Sequence, residues 1–151
     1  MNCKCNQEIR LLKVCGVEIS GSEALIAIAT VNDGEISFVA TGTKKIGLGD
    51  DKDAASVKAC LQAIKAFAHE NSIDAFAIKA RAHKGKMAGG AVSFKVETLF
   101  QLTEYPVSLI NAVALSKFAK KNIAGIPSGV LKYQEDAFRC AAYQMQKSGA
   151  L

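Results

Sequence analysis

The chain has 151 residues, of which 50% are hydrophobic and 22% charged. That is the size and composition of one globular domain and excludes an intrinsically disordered segment. Its formal net charge of +5 favours an anionic partner but says nothing about fold. The longest apolar run, residues 24–31, falls far short of the about 20 residues that span a bilayer as a helix. The opening Met1-Asn2-Cys3-Lys4-Cys5 lacks the apolar stretch of a secretion signal, so the expected location is cytoplasmic, with no membrane partner. The five cysteines are an odd number without disulfide-framework spacing. Cys15, Cys60 and Cys140 sit among apolar residues and read as core thiols. Cys3 and Cys5 would supply only half of a soft-metal site. Residues 1–10 read as a flexible extension ahead of a single domain over residues 11–151.

Residues 11–42 predict three strands. Residues 11–19 are rich in Val, Leu and Ile, and Ser20-Gly21-Ser22 is a tight turn. Residues 23–31 form a second β-rich run, and Asn32-Asp33-Gly34 is a hairpin signal. Residues 35–41 alternate polar with apolar, the mark of a half-exposed strand. Residues 44–52 read as a Gly- and charge-rich loop, after which Asp51 or Asp53 can cap a helix. Val57, Cys60, Leu61, Ile64, Phe67 and Ala68 recur at helical spacing, and Asn71 ends that helix. Residues 73–80 are a short apolar run that fits a buried parallel strand. A basic, Gly-rich loop over residues 81–90 leads into a helix lined by Val92, Val96, Leu99 and Thr103, which stops before Tyr105-Pro106. Residues 107–110 are a fifth strand, Asn111 caps a third helix to about Asn122, and residues 131–147 form the last helix, with Leu131, Phe138, Ala141, Ala142 and Met145 turned inward.

An antiparallel meander followed by α/β units predicts a mixed five-stranded sheet, the later strands parallel, with helices on both faces. This α/β order resembles the ribonuclease-H-like superfamily, which includes the Holliday-junction resolvases. Val14-Cys15-Gly16-Val17-Glu18-Ile19-Ser20-Gly21 is similar to that superfamily's first strand, where an acid follows a Gly-apolar pair. Glu135-Asp136-Ala137-Phe138 resembles the acid-rich start of the resolvase's last helix. Lys84-Gly85-Lys86-Met87-Ala88-Gly89-Gly90-Ala91-Val92-Ser93-Phe94-Lys95 resembles the signature of the bacterial domain-of-unknown-function family 3010, whose members open close to Lys13-Val14-Cys15-Gly16-Val17-Glu18.

The superfamily resemblance implies a carboxylate site. Its nucleases hold divalent metal, Mg²⁺ or Mn²⁺, with acids from the first strand, the fourth strand and the last helix, two ions about 4 Å apart flanking a phosphodiester. Glu18 takes the first place, and an acid inside an apolar strand is costly to bury unpaired. Asp136 or Glu135 takes the last: the motif selects Asp136, whereas helical geometry puts Glu135 nearer the apolar face. Glu18, Asp136 and Glu135 are thus the catalytic candidates, with Glu18 and Asp136 as metal ligands. The fourth strand departs from the pattern, because Ile78-Lys79-Ala80-Arg81 has lysine where an acid is expected, and its charge would repel Mg²⁺. Glu97, in the next helix, is the nearest alternative.

Between residues 79 and 95 stand Lys79, Arg81, Lys84, Lys86 and Lys95, with His83 and no acid. Gly89 and Gly90 precede a helix start, where backbone N–H groups and the helix dipole favour an anion. Lys79, Arg81, Lys84, Lys86, Gly89 and Gly90 are the expected anion-binding set, and the spacing is not that of a P-loop. His83 is a lone histidine without an identified partner for proton transfer. The residues favour a binding protein for nucleic acid or another phosphorylated ligand, with a metal-dependent, resolvase-like nuclease as the alternative. A phosphotransfer fold of the actin-like kind ranks last, because it needs two such domains. Monomer and homodimer are both open.

Overall fold

The computed structural model describes residues 12–81, 90–123 and 125–149. Leu12–Ser20 (β1) and Glu23–Asn32 (β2) pair antiparallel across a tight turn at Gly21. Gly21 has a φ of +62°, which glycine adopts without steric cost. Glu35–Val39 (β3) returns beside β2 through Asp33 and Gly34, both at positive φ, as the right-handed twist of a two-residue hairpin requires. The predicted meander is present, with β3 ending at Val39, two residues earlier than the alternation suggested.

The stretch expected to be a loop after it contains a further short strand, Lys45–Gly47 (β4). Its origin is an unpaired edge. β3 covers β2 only from Ile28 to Asn32, so the backbone groups at the start of β2 need another partner. β4 supplies it, pairing Glu23 with Gly47 and Leu25 with Lys45 while burying Ile46. A lone isoleucine among glycines and charges left no alternation to read.

Ala54–Glu70 (α1) follows, its N-terminus capped by Asp53, whose carboxylate accepts from the Ala55 N–H at 3.2 Å. Asn71 closes it. Ala75–Lys79 (β5) lies parallel to β1, Ala91–Gln101 (α2) crosses back, and Val107–Ile110 (β6) lies parallel to β5. Ala112–Asn122 (α3) is capped by the Asn111 side chain, which accepts from Val113 and Ala114. A single 3-10 turn, Lys132–Gln134, precedes Glu135–Lys147 (α4). The sheet order is β3-β2-β1-β5-β6, with β4 extending along β2. The five expected strands make the continuous path, and β4 makes the sheet six-stranded.

Helices cover both faces. Cys15, Val17 and Ile19 of β1 pack with Ile64 and Phe67 of α1 and Val96 and Phe100 of α2. Phe76 of β5 meets Phe100 edge-on at 5.0 Å and Tyr105 at 5.9 Å. On the other face Val14, Ala27 and Ala77 pack with Ala137, Cys140 and Ala141 of α4. Here Gly16 stands between Ala27 and Ala77 in the sheet. A Cβ at Gly16 would collide with the Ala137 backbone carbonyl, so a row of small residues lets α4 lie almost on the strands.

The last helix begins later than its periodicity suggested. Leu131 is exposed and lies outside it. Gln134, one of few buried polar residues, explains the start: its amide donates to the Ile26 carbonyl at 2.9 Å and its side-chain oxygen accepts from the Leu131 N–H at 3.0 Å. Ile26 lies between the stretches of β2 that β3 and β4 pair, so a side chain satisfies a carbonyl the ladder misses.

Candidate functional site

The parallel register sets Val17 beside Ile78. Glu18 and Lys79, each one residue further on, therefore project from the same face of the sheet, the one α4 covers. The second residue of α4, Asp136, reaches the same place. Lys79 Nζ lies 2.7 Å from the Asp136 carboxylate and 3.4 Å from that of Glu18. One turn along α4, Arg139 donates to the other Asp136 oxygen at 2.7 Å and approaches Glu135 at 3.5 Å. Three acids named from the sequence thus meet around two cations, at the carboxyl ends of β1 and β5.

Helical periodicity had turned Asp136 away from the core because it counted one buried side of α4. The helix touches the sheet on one side and α3 on the other, where Phe118 meets Tyr143 edge-on at 5.3 Å. Ala137 and Cys140 are buried as well, so the covered arc is wide, and Asp136 stands just past its edge. Arg139 went unremarked in the sequence, although its i,i+3 and i,i+4 spacing from Asp136 and Glu135 is the standard helical ion-pair signal.

The electrostatics follow from these contacts. Burial pushes the Asp136 pKa up, but the hydrogen bonds and charges of Lys79 and Arg139 outweigh it and hold it below the ordinary aspartate value. Burial likewise disfavours charge on Lys79, and Asp136 with Glu18 more than compensates, so this lysine titrates above the ordinary range. Beneath them, burial raises the Cys140 thiol, as it does those of Cys15 and Cys60, leaving three buried thiols of low reactivity.

The donor set does not fit a hard divalent cation. Glu18 and Asp136 are the right ligand type, but an ammonium group stands between them and would repel Mg²⁺ or Mn²⁺. Among the described residues, no group of three or more His, Cys, Asp or Glu is gathered as a metal site. Glu97 does not join the cluster. It is buried on α2, which packs on the opposite face, and accepts weakly from the Arg81 N–H at 3.4 Å.

The expected anion-binding residues are dispersed. Lys79 is engaged by carboxylates. Arg81 donates to the Ile19 carbonyl at 2.8 Å; Lys95, a basic residue of the same stretch outside that set, pairs with Asp51 at 3.1 Å. Gly90 is the exposed N-cap of α2, and no atom of the described residues lies where its side chain would be. Lys84, Lys86 and Gly89, with His83, lie outside the described residues, as do Cys3 and Cys5. Beside the charge cluster lies a cavity of about 390 Å³ between α3 and α4, with Lys79, Asp136 and Arg139 on one side and Leu115, Ser116, Ala119, Lys120 and Ile123 on the other.

A family model described as "Protein of unknown function (DUF3010)" matches residues 12–144. The chain belongs to this family. No curated protein matches it by sequence. In three dimensions this DUF3010 member is similar to the Thermus thermophilus RuvC structure, with a TM-score of 0.68 at 10% identity over 91% of this chain and 97% of the other. The structure of T. thermophilus RuvC in complex with Holliday junction substrate aligns with a TM-score of 0.61 at 10% identity, covering 91% and 96%. The fowlpox virus Holliday junction resolvase aligns with a TM-score of 0.51 at 11% identity, covering 91% and 99%. At such identities the likeness establishes a shared ribonuclease-H-like fold. Among the described residues of this DUF3010 chain, no helix is long and apolar enough to cross a membrane.

Proposed function

We propose that this DUF3010 chain is a nucleic-acid-binding protein on a ribonuclease-H-like scaffold, and that Lys79 takes the place of a catalytic metal. The observation carrying this reading is the Lys79 ammonium held between Asp136 and Glu18. A fixed monovalent cation offsets part of the acids' charge, holds the ends of β1, β5 and α4 together and stands where an ion that activates water would have to bind. Phosphate contacts are assigned to the segment between β5 and α2, where the sequence places Lys84 and Lys86 and where the exposed N-terminus of α2 at Gly90 favours an anion. The net charge of +5 adds long-range attraction. The fold is one that, in the RuvC complex, accompanies a Holliday junction substrate, so branched DNA is the first ligand to test.

The test is fluorescence anisotropy with a labelled four-way junction and a duplex over a salt series, with parallel incubation in Mg²⁺ and in Mn²⁺ read on a denaturing gel. Affinity is expected to fall steeply with salt, to drop further in the double variant Lys84→Ala and Lys86→Ala, and to leave the strands uncut. Binding that ignores salt would remove the phosphate-contact reading. Metal-dependent cleavage lost on Glu18→Gln would replace it with the nuclease.

A further inference from the structure

The cavity between α3 and α4 has chemistry of its own, distinct from the loop before α2. We infer that it is a binding site for a phosphomonoester, either the phosphate of a free nucleotide or a phosphorylated nucleic-acid end. Cations reach it from three elements: Lys79 from the end of β5, Lys120 from α3 and Arg139 from α4, with the Ser116 hydroxyl beside them. Asp136 is the one acid among the described residues of the wall; it, Glu18 and Glu135 share Lys79 and Arg139, and Lys120 brings the third positive charge that matches these three acids. Those pairs do more than cancel charge. They hold both cations in position before a ligand arrives, which removes ordering cost from binding.

Donors remain. The Lys79 ammonium has three N–H groups and uses two, on Asp136 and Glu18. The Arg139 guanidinium has five and uses two, on Asp136 and Glu135. Lys120 and Ser116 are exposed and present further donors. A phosphomonoester offers three strong acceptor oxygens and up to two negative charges, matching donors that converge from three sides better than a carboxylate's two oxygens do. Leu115, Ala119 and Ile123 form an apolar wall beside this polar end, against which a nucleoside can lie. The volume of about 390 Å³ is within the usual range of small-ligand sites, about 300–1,000 Å³.

The probes are AMP against adenosine by calorimetry, and a 5′-phosphorylated against a 5′-hydroxyl oligonucleotide of one sequence by anisotropy. In at least one pair the phosphorylated member should bind about tenfold tighter. Lys120→Ala and Ser116→Ala, both at exposed positions that the fold tolerates, should remove that preference, and Lys120→Arg should restore it. Preference for AMP identifies a free nucleotide as the source; preference confined to the oligonucleotides identifies a chain end. Equal binding within both pairs overturns the proposal, as does a preference that survives Lys120→Ala or is removed by the Lys84→Ala and Lys86→Ala double variant. Failure here leaves the loop reading intact, because that reading concerns overall salt-dependent affinity and not a terminal phosphate.

Discussion

The two faces of the sheet solve the same packing problem in opposite ways. Under α1 and α2 the strands present Ile19, Phe76 and Ile78, large side chains that hold the helices off and fill the gap with apolar atoms. Under α4 they present Gly16, Ala27 and Ala77, so that helix and strands nearly touch. The first arrangement maximises buried apolar surface. The second sacrifices side-chain volume for proximity, and proximity is what brings residues of β1, β5 and α4 within hydrogen-bonding distance. In this molecule the bulky face is filled with apolar side chains, and the thin face brings the charged side chains of β1, β5 and α4 together.

That contrast can be tested by substitution. Phe76→Ala should cost the most, about 4 kcal/mol, because it empties a fully buried aromatic site between Phe100 and Tyr105; urea denaturation measures it. Gly16→Ala, which adds one methyl group, should cost nearly as much, about 3 kcal/mol, since the atom it strikes is helix backbone that cannot rotate away. A Gly16→Ala protein as stable as the parent would show that α4 is free to ride outward. Lys79→Asp should destabilise by about 2 kcal/mol through carboxylate repulsion. Unlike the parent, it should be stabilised by Mn²⁺ in a thermal melt, because three acids then face one point and a bound ion favours the folded state; a melting temperature indifferent to Mn²⁺ would mean that the acids do not define a cation position.

The smallest effect concerns pH. Burial raises the Asp136 pKa, and its pairs with Lys79 and Arg139 more than reverse this. A carboxylate depressed in the folded state adds stability above the ordinary aspartate value and loses it as pH falls through the depressed one. Lys79, raised in the folded state, adds stability that is full below the ordinary lysine value and disappears as pH climbs through the raised one. Stability plotted against pH should therefore drop at both extremes, and Asp136→Asn should flatten both limbs. Parallel acid limbs for parent and variant would assign the acid transition to other groups.

The architecture was largely readable from the chain because its signals are local: two turns with obligatory glycine geometry, capping side chains at Asp53 and Asn111, and helical repeats in α1 and α2. β4 was not readable, since it exists only because β2 outruns β3. Glu18 stood out as an acid in an apolar strand and Asp136 through its motif, and the superfamily resemblance implied that they share a site with the Lys79 position; that Lys79 bridges the two acids follows from the parallel register of β1 and β5, which no local pattern encodes. Lys120 and Ser116 were invisible for a simpler reason. Nothing in the pattern of the third helix singled them out, and only the placement of α3 beside α4 gives them a cavity to face.

Gln134 has a mechanical consequence. By tying the turn before α4 to the Ile26 carbonyl in β2, it anchors the start of the helix that carries Asp136 and Arg139 to the sheet. α3 meets α4 through Phe118 and Tyr143, a contact of rings that tolerates small tilts. The lengthwise anchor on α4 therefore comes from the sheet through a hydrogen bond, and the α3 side is joined to it by ring contact.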